Sequence, residues 1–485
     1  MSNILKQLEP NLVFHYFEEI SNIPRGSGNE KGISDYLVKF AVEKNLEVIQ
    51  DEALNVIIKK PATKGYENAP GVILQGHMDM VCEKNKNTKH DFEKDPLALR
   101  IIDDMIYATD TTLGADNGIA IAYSLAVLAS DNIEHPAVEV LITVEEEVGL
   151  NGAAAVEGKN LNGKYLLNMD SEEEGKLLVS CSGGARTTES IKIEWATAKP
   201  GLLSYAVSIS GLKGGHSGME IHKERGNANK LMGRVLNDLN SCIEFYVKEI
   251  NGGSKMNAIP READAVILIP ADAVSTLEAK IAQWNKILKA ELRAADPDVN
   301  LSLEKIEYNY AEIFSKDTKE NALAALILIP NGVQSMSMNI EGLVESSTNL
   351  GVVTTSNSEI SFESAARSSV RTLKNQIVSV GKKIAEFTGG TFEVSSDYPE
   401  WEYNPDSNLR KILIDVYERN YGKTPEIVAI HAGVECGLFS EKLPGLDMIS
   451  FGPDTFDVHT PDEHVSISST QRTWDFLLSI LKELK

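Results

Sequence analysis

Short apolar runs alternate with longer helical patterns over the first third of the chain. Val72–Leu74, Val138–Thr143 and Tyr165–Met169 have the length and composition of buried strands, and Ile119–Leu128 is apolar over a helical length. Continuous apolar strands alternating with helices are typical of an α/β sheet covered on both faces. Ligands of such sheets bind beyond the carboxyl ends of the strands. A potential metal ligand or acid follows each of the three strands; these are His77, the acidic cluster 145–147 and Asp170.

The pattern changes at about residue 187. Tyr205–Ser210 and Ala265–Ile269 are predicted strands, and Asn227–Cys242 is a predicted helix. Ser275 and Glu278 have the spacing of a capping box that opens another helix. This mixture is typical of a separate α+β domain.

Composition and charge narrow the class of protein. The chain has 485 residues, 42% of them hydrophobic, and its 47 basic and 71 acidic side chains give a formal net charge of −24. Such a surface disfavours nucleic acid and anionic lipid. The longest apolar stretch, Gly118–Ala129, is shorter than the roughly 20 residues that span a bilayer, and the first residues lack a signal-peptide pattern. Four scattered cysteines without a CxxC pair fit reduced thiols, so we predict a cytoplasmic protein without nucleic-acid or membrane partners.

His77 and Asp79 form the first candidate for chemistry. Alternate residues of an extended chain point the same way, so one nitrogen of His77 can face a metal ion while Asp79 holds the other nitrogen. A surface histidine beside an aspartate is the commoner explanation of such a pair taken alone.

Four further groups each have a simple structural alternative. Asp116 precedes the apolar helix and suits an N-cap, and Glu145–Glu147 suits a solvated acidic turn. Asp170 suits a turn, and His459 lies in a loop rich in proline and glycine, with His464 as a rival. Taken together, two histidines, three carboxylates, a spare glutamate and an orienting aspartate are what a two-metal hydrolase needs. The mixed N/O ligand set favours zinc, with manganese or cobalt as alternatives.

The chain resembles the M20 family of dinuclear metallopeptidases, and within it the bacterial aminoacyl-histidine (Xaa-His, carnosinase-like) dipeptidases. The resemblance rests on eight segments in the same order along nearly the whole chain. They are GHMDM (76–80), TTLGADNGIA (111–120), EEVG (146–149), NMDSEEEG (168–175), GLKGGHSGMEIH (211–222), NAIP (257–260), HAGVECG (431–437) and DVHTPDEHV (457–465).

This resemblance implies a role for each residue of the centre. His77 and Asp170 would hold one metal ion, Glu147 and His459 the other, Asp116 would bridge both, Asp79 would orient His77, and Glu146 would be the general base. The additional Glu145 leaves a register shifted by one residue as the alternative. A cis peptide bond between Asp116 and Asn117 is also implied.

The resemblance implies a lid domain, residues 187–400, inserted into an α/β catalytic domain formed by residues 1–186 and 401–485. In the lid, His216 would stabilise the oxyanion. Asn257, Arg367 and Gly433 would contact the substrate, with Arg371 as the rival of Arg367. We derive no role for His222 and His431.

The implied activity is metal-dependent hydrolysis of dipeptides, of the Xaa-His type or similar, by a bridging hydroxide that a glutamate activates. The alternatives are a deacylase or aminoacylase of the same family, acting on N-acyl amino acids, and a non-catalytic binding protein with this fold. A homodimer is compatible with the sequence.

Overall fold

The structure is a computed structural model that describes residues 4–307 and 310–485. Its contacts divide the chain into two compact units. The first unit consists of residues 1–180, 403–429 and 434–485, and the second of residues 181–402 and 430–433.

The helices and strands are named in chain order. The first stretch contains α1 (Asn11–Ile20), α2 (Lys31–Glu43), β1 (Glu47–Gln50), β2 (Val56–Lys60), β3 (Val72–His77), β4 (Leu99–Ile102), β5 (Met105–Ala108), α3 (Ala115–Ala129), β6 (Val138–Thr143), α4 (Asn151–Ala155), β7 (Tyr165–Asn168) and β8 (Lys176–Cys181). Next come β9 (Gly183–Lys192), β10 (Trp195–Thr197), β11 (Leu203–Ser210), β12 (Gly215–His216), α5 (Ala228–Cys242), β13 (Tyr246–Gly252), β14 (Ala258–Ile259), β15 (Ala263–Ile269), α6 (Val274–Glu291), β16 (Asn300–Ile306), β17 (Glu312–Phe314), α7 (Lys316–Leu328), β18 (Gly332–Met336), β19 (Val344–Thr355), β20 (Glu359–Ser368), α8 (Arg371–Phe387) and β21 (Thr391–Tyr398). The last are α9 (Asn408–Tyr421), β22 (Glu426–Ile430), α10 (Glu435–Lys442), β23 (Asp447–Ser450), β24 (Thr455–Phe456), β25 (His464–Ser466) and α11 (Ile467–Glu483).

A mixed sheet in the order β1-β2-β6-β3-β7-β23-β8-β22 forms the centre of the first unit. Its middle strands β6, β3, β7 and β23 run parallel, so their carboxyl ends lie at one edge. A smaller antiparallel sheet, β24-β25-β5-β4, belongs to the same unit.

The apolar runs form these elements because both faces of the middle strands are covered. All residues of β3 and β6 are buried, and so are residues 119–128 of α3. Gly76 lets this helix approach the sheet, since a Cβ at this position would clash with the side chains of Asn117 and Ala120. The predicted α/β class of this part of the chain is confirmed.

The second unit contains the antiparallel sheet β16-β11-β15-β13-β19-β20-β9-β21. The inward residues of this sheet and of helices α5, α6 and α7 form one apolar core, with Val207, Leu236 and Ile267 fully buried. This arrangement confirms the predicted α+β class. The role of this unit as a lid stays a prediction.

Two predicted helix starts have different outcomes. The helix predicted from Asn227 begins at Ala228 as α5, and the side chain of Asn227 caps it by accepting the N–H of Lys230. The capping box predicted at Ser275 is wrong, because a 3₁₀ turn at Ala271–Ala273 starts α6 earlier, at Val274, and leaves Ser275 inside the first turn.

Within the described ranges, no helix is both long enough and apolar enough to cross a membrane.

Glu189 on β9 is a buried carboxyl group whose ionisation opposes folding of the second unit. Only 2% of the residue is exposed, and burial raises the pKa of its side chain from 4.5 to about 7. The unfolded chain ionises near pH 4.5 while the folded chain keeps the proton until about pH 7, so stability falls as the pH rises through this window.

We expect Glu189→Gln to leave stability unchanged at pH 4.5 and to raise it at pH 8 by up to about 3 kcal/mol, since one pKa unit corresponds to about 1.4 kcal/mol. Scanning calorimetry at both pH values measures the effect. Glu393→Gln, on the neighbouring strand β21 and exposed, is the control. An equal gain at both pH values would contradict the assignment.

Candidate metal centre

The carboxyl edge of the parallel strands gathers the predicted ligands of the first unit. His77 is the last residue of β3 and pairs with Thr143, the last residue of β6. Glu146 and Glu147 follow β6, and Asp170 lies two residues after β7. Because β6, β3 and β7 are parallel neighbours, their ends converge at this edge.

His77 lies at the centre of the first cluster. Its Nε2 atom is 3.2 Å from Oδ1 of Asp116 and 3.4 Å from Oδ1 of Asp170. Its side chain is 1% exposed. These three side chains offer ligand atoms that lie within 4.8 Å of one another.

The second cluster shares Asp116 with the first. Nε2 of His459 is 3.2 Å from Oδ2 of Asp116 and 3.0 Å from Oε1 of Glu147. Asp116 therefore turns one carboxylate oxygen to each cluster, which is the geometry of a bridging ligand. The carboxylate contacts the two histidines, and the extended backbone of Asp116 (ψ 105°) lies outside the helical region. The Asp116–Asn117 peptide bond is cis.

Asp79 connects three parts of the centre. Its Oδ1 lies 3.3 Å from Nδ1 of His77 and accepts the N–H of Glu146 at 3.1 Å. Its Oδ2 accepts the N–H of Glu147 at 3.3 Å and the hydroxyl of Ser27 at 2.8 Å. One buried carboxylate thus fixes both the ring of His77 and the backbone of the turn after β6.

The two alternatives in register have different surroundings. The side chain of Glu145 accepts a hydrogen bond from Asn151, 2.9 Å away. Glu146 instead joins Glu147 and His77 in a group of potential ligands. His464, the rival of His459, stacks on Tyr107 with ring centroids 4.6 Å apart. The contacts therefore favour Glu146 over Glu145 and His459 over His464.

The donor set fits divalent cations. It combines imidazole nitrogens with carboxylate oxygens, which suits zinc and related ions. Oδ1 of Asp170 is buried and has no hydrogen-bond partner within the described part of the chain, so it retains a lone pair for a cation. Each of the two clusters that share Asp116 offers three ligand groups to a cation.

Charge repulsion and burial shift the pKa values of the centre. Burial raises the pKa of Glu146 to about 9 and that of Asp170 to about 6. Burial alone would lower the pKa of His77, but Asp170, Asp116 and Asp79 raise it well above its usual value. Hydrogen bonds to Asp116 and Glu147 raise the pKa of His459 to about 10. Without a cation, protons therefore neutralise this group of carboxylates.

Three buried charged residues support the centre and were missed by the sequence reasoning. Arg25 donates to the carbonyl of Met78, next to His77, and Glu463 accepts the N–H of Gly114, two residues before Asp116. Oε2 of Glu435 accepts hydrogen bonds from Gln75 (2.6 Å) and Thr143 (2.9 Å), next to the ends of β3 and β6. Glu435 and Glu463 lie in the segments 431–437 and 457–465 that carry the family resemblance, which is a signal that could have found them. Arg25 has no comparable signal.

The second unit brings its four predicted residues into one region of its own. Nδ1 of His216 accepts the N–H groups of Met219 (3.1 Å) and Gly218 (3.3 Å), so the neutral ring carries its proton on Nε2. Burial and then Arg367 lower the pKa of His216, so the ring is neutral at pH 7. The carbonyl of Asn257 accepts the N–H of Ser217 at 2.9 Å.

Arg367 and Gly433 meet at Tyr398. Nη1 of Arg367 donates to the Tyr398 hydroxyl at 2.8 Å, and a Cβ at Gly433 would lie 2.7 Å from the same ring. Arg371, the rival of Arg367, donates to Glu400 at 2.6 Å. This ion pair favours Arg367 as the group left for a substrate carboxylate. Tyr398 was missed because nothing in the sequence connects it to residue 367.

Residues 73–483 match the family described as Peptidase family M20/M25/M40. The chain belongs to this family. It is 39% identical over 480 residues to the cytosol non-specific dipeptidase of Escherichia coli K12, with 99% of each chain covered. The crystal structure of aminoacylhistidine dipeptidase from Vibrio alginolyticus superposes with a TM-score of 0.95 at 41% identity, again over 99% of both chains. Aminopeptidase PepT from Bacillus cereus shares the fold at 15% identity, with a TM-score of 0.57 over 98% of this chain and 99% of that one.

Cation binding to this family member should release protons. His77 and His459 hold protons in the absence of cations, and an imidazole must lose its proton before the nitrogen can coordinate an ion. We therefore expect affinity for Mn²⁺ to rise between pH 6 and pH 9. Isothermal titration calorimetry of the metal-free protein, in two buffers with different ionisation enthalpies, measures the protons released. Equal heats in both buffers and a flat affinity would contradict this expectation.

Proposed function

We propose that this chain is a two-metal dipeptidase that cleaves Xaa-His and similar dipeptides. The observation that carries the proposal is the carboxylate of Asp116, whose two oxygens face two separate His-containing clusters. Family membership and the two dipeptidase relatives, each matched over 99% of the chain, support the same conclusion. The name of the E. coli relative also supports a cytoplasmic location. A homodimer stays a prediction.

In this proposal His77 and Asp170 would hold one cation, Glu147 and His459 would hold the other, and Asp116 would serve both. Zinc, or manganese or cobalt in its place, would when bound lower the pKa of a water molecule and polarise the scissile carbonyl. Asp79 keeps His77 in the tautomer that turns Nε2 to the centre, and its hydrogen bonds to the N–H groups of Glu146 and Glu147 hold the turn after β6.

Glu146 transfers the proton. Its carboxylate accepts a proton from water as the water oxygen bonds to the carbonyl carbon, and it returns this proton to the amine nitrogen as the C–N bond breaks. Burial prepares the side chain for the second step because a carboxyl group with a raised pKa releases its proton less readily to solvent. His216 donates from Nε2 to the carbonyl oxygen as that oxygen gains negative charge.

Asn257, Arg367 and Gly433 bind the substrate in this proposal. Arg367 pairs with the carboxylate of the dipeptide, since its Nε atom is buried and has no hydrogen-bond partner among the residues that the structure describes. Tyr398 holds the guanidinium group in place through the hydrogen bond to Nη1. The free amine of the dipeptide is positively charged and suits the acidic first unit.

We expect Glu146→Gln to lower kcat by about 100- to 10,000-fold while cation content stays at two per chain, because the glutamine cannot accept the proton. Steady-state kinetics with a dipeptide and metal analysis of the same sample measure both quantities. Glu145→Gln is the matched control, since its side chain faces Asn151, and it should retain activity close to the wild type. The reverse result would shift the register by one residue.

A substrate panel separates the dipeptidase from a deacylase. We expect Ala-His, β-alanyl-His and Ala-Ala to be hydrolysed, and N-acetyl-alanine and N-acetyl-histidine to have kcat/KM values at least about 100-fold lower, because acetylation removes the charged amine. A hundredfold corresponds to about 2.7 kcal/mol of transition-state binding. Faster cleavage of the N-acetyl compounds would favour the deacylase, and no hydrolysis at all with both cations bound would favour a binding protein.

A further inference from the structure

Glu463 is a buried carboxylate that binds only backbone in the contacts described for it. It is 2% exposed. Its Oε2 accepts the N–H groups of Leu113 (2.8 Å) and Gly114 (2.9 Å), and its Oε1 accepts those of Ala115 (2.8 Å) and Asp116 (3.3 Å). Both oxygens are thus used to hold the four residues that end at the shared ligand, Asp116.

Arg25 binds one carbonyl of the same segment and two carbonyls of the segment that follows β3. It is 2% exposed and donates to the carbonyls of Met78 (3.0 Å) and Asp79 (3.2 Å), and also to the carbonyl of Gly114. Gly114 has a positive φ of 66°, and a Cβ there would meet Nη2 of Arg25. The backbone before Asp116 is therefore fixed by two opposite charges, with no side chain at Gly114 in the way.

Glu463 also lies four residues after His459, in the loop between β24 and β25. It therefore connects the chain segment of His459 to that of Asp116, and these two side chains meet at 3.2 Å in the second cluster. The first cluster has a different support. His77 and Asp170 stand at the ends of β3 and β7, which pair directly with each other.

We propose that Glu463 is a positioning residue for the second cation position, formed by Asp116, Glu147 and His459, and that the first position depends on it much less. This inference rests on the proposed two-metal function. Both positions share Asp116, but only the second uses His459, and Glu463 ties the loop of His459 to the backbone before Asp116. Loss of its charge frees that loop and weakens the cluster in which both segments take part.

The test is a calorimetric titration of Mn²⁺ into the metal-free wild type and the Glu463→Gln variant. In the variant one nitrogen replaces a carboxylate oxygen and faces N–H donors. We expect one ion to bind with the wild-type dissociation constant and the second to bind about 10- to 100-fold more weakly, the usual effect of losing a residue that supports a metal ligand.

Glu139→Gln is the matched control. Oε2 of Glu139 accepts the N–H groups of Asn162 (2.8 Å) and Gly163 (2.9 Å), near the start of β6 and at the opposite edge of the sheet. It is 6% exposed, so the substitution removes a similarly buried carboxylate without touching the centre. Both ions should bind to this variant as they do to the wild type.

Three results would overturn the inference. They are a wild-type second affinity in Glu463→Gln, an equal weakening of both ions, and the same loss in Glu139→Gln. If Glu463→Gln does not fold, Glu463→Asp decides, since it keeps the charge but shortens the side chain. We expect this variant to bind the second ion more weakly than the wild type but without losing the site. An unchanged affinity for the second ion would overturn the inference. A wild-type chain that binds fewer than two ions would instead overturn the two-metal function itself.

Discussion

Mutual repulsion among the carboxylates at the edge of the central sheet is the constraint on which the centre depends. Asp116, Glu147 and Asp170 converge on two imidazoles, and Glu146 lies beside them. In a buried place their charges cannot coexist without positive partners. In the protein alone, the pKa values of Glu146 and His459 are raised, so both side chains bind protons. Divalent cations supply the positive charge in another way, which leaves the carboxylates ionised.

Much of this centre could be predicted because it depends on short sequence distances. Strand ends can be located from apolar runs, so His77, Glu147 and Asp170 could be predicted to lie at one edge. Asp116 and His459 were candidates by residue type, and the resemblance assigned their roles. The supporting residues are harder to predict. Glu463 and Arg25 bind backbone groups of segments far away in sequence. In the sequence alone, a single glutamate or arginine is indistinguishable from an ordinary surface charge. Ser275 failed for the opposite reason, because a local motif matched while the preceding turn had already started the helix.

The net charge of the whole chain does not reveal a local group of arginine and histidine side chains in the second unit. The chain carries a formal charge of −24, yet the second unit gathers Arg367, His216, His222 and His431. Burial, together with these neighbours, lowers the pKa of His431 to about 3, so the ring stays neutral. Its Nε2 forms a hydrogen bond with the hydroxyl of Ser347, 2.7 Å away. An acidic protein can therefore contain a local region suited to an anion, and a total charge reports only its average surface.

The order of the segments along the chain has a consequence for synthesis. The first unit is built from residues 1–180, 403–429 and 434–485, and most of the second unit lies between them. Asp116, Glu147 and Asp170 leave the ribosome early, whereas His459 and Glu463 follow only after that long intervening segment. During this interval the nascent chain carries an acidic strand edge without its second histidine. Closure of the centre is a long-range contact made late, and such contacts are the slow ones in folding.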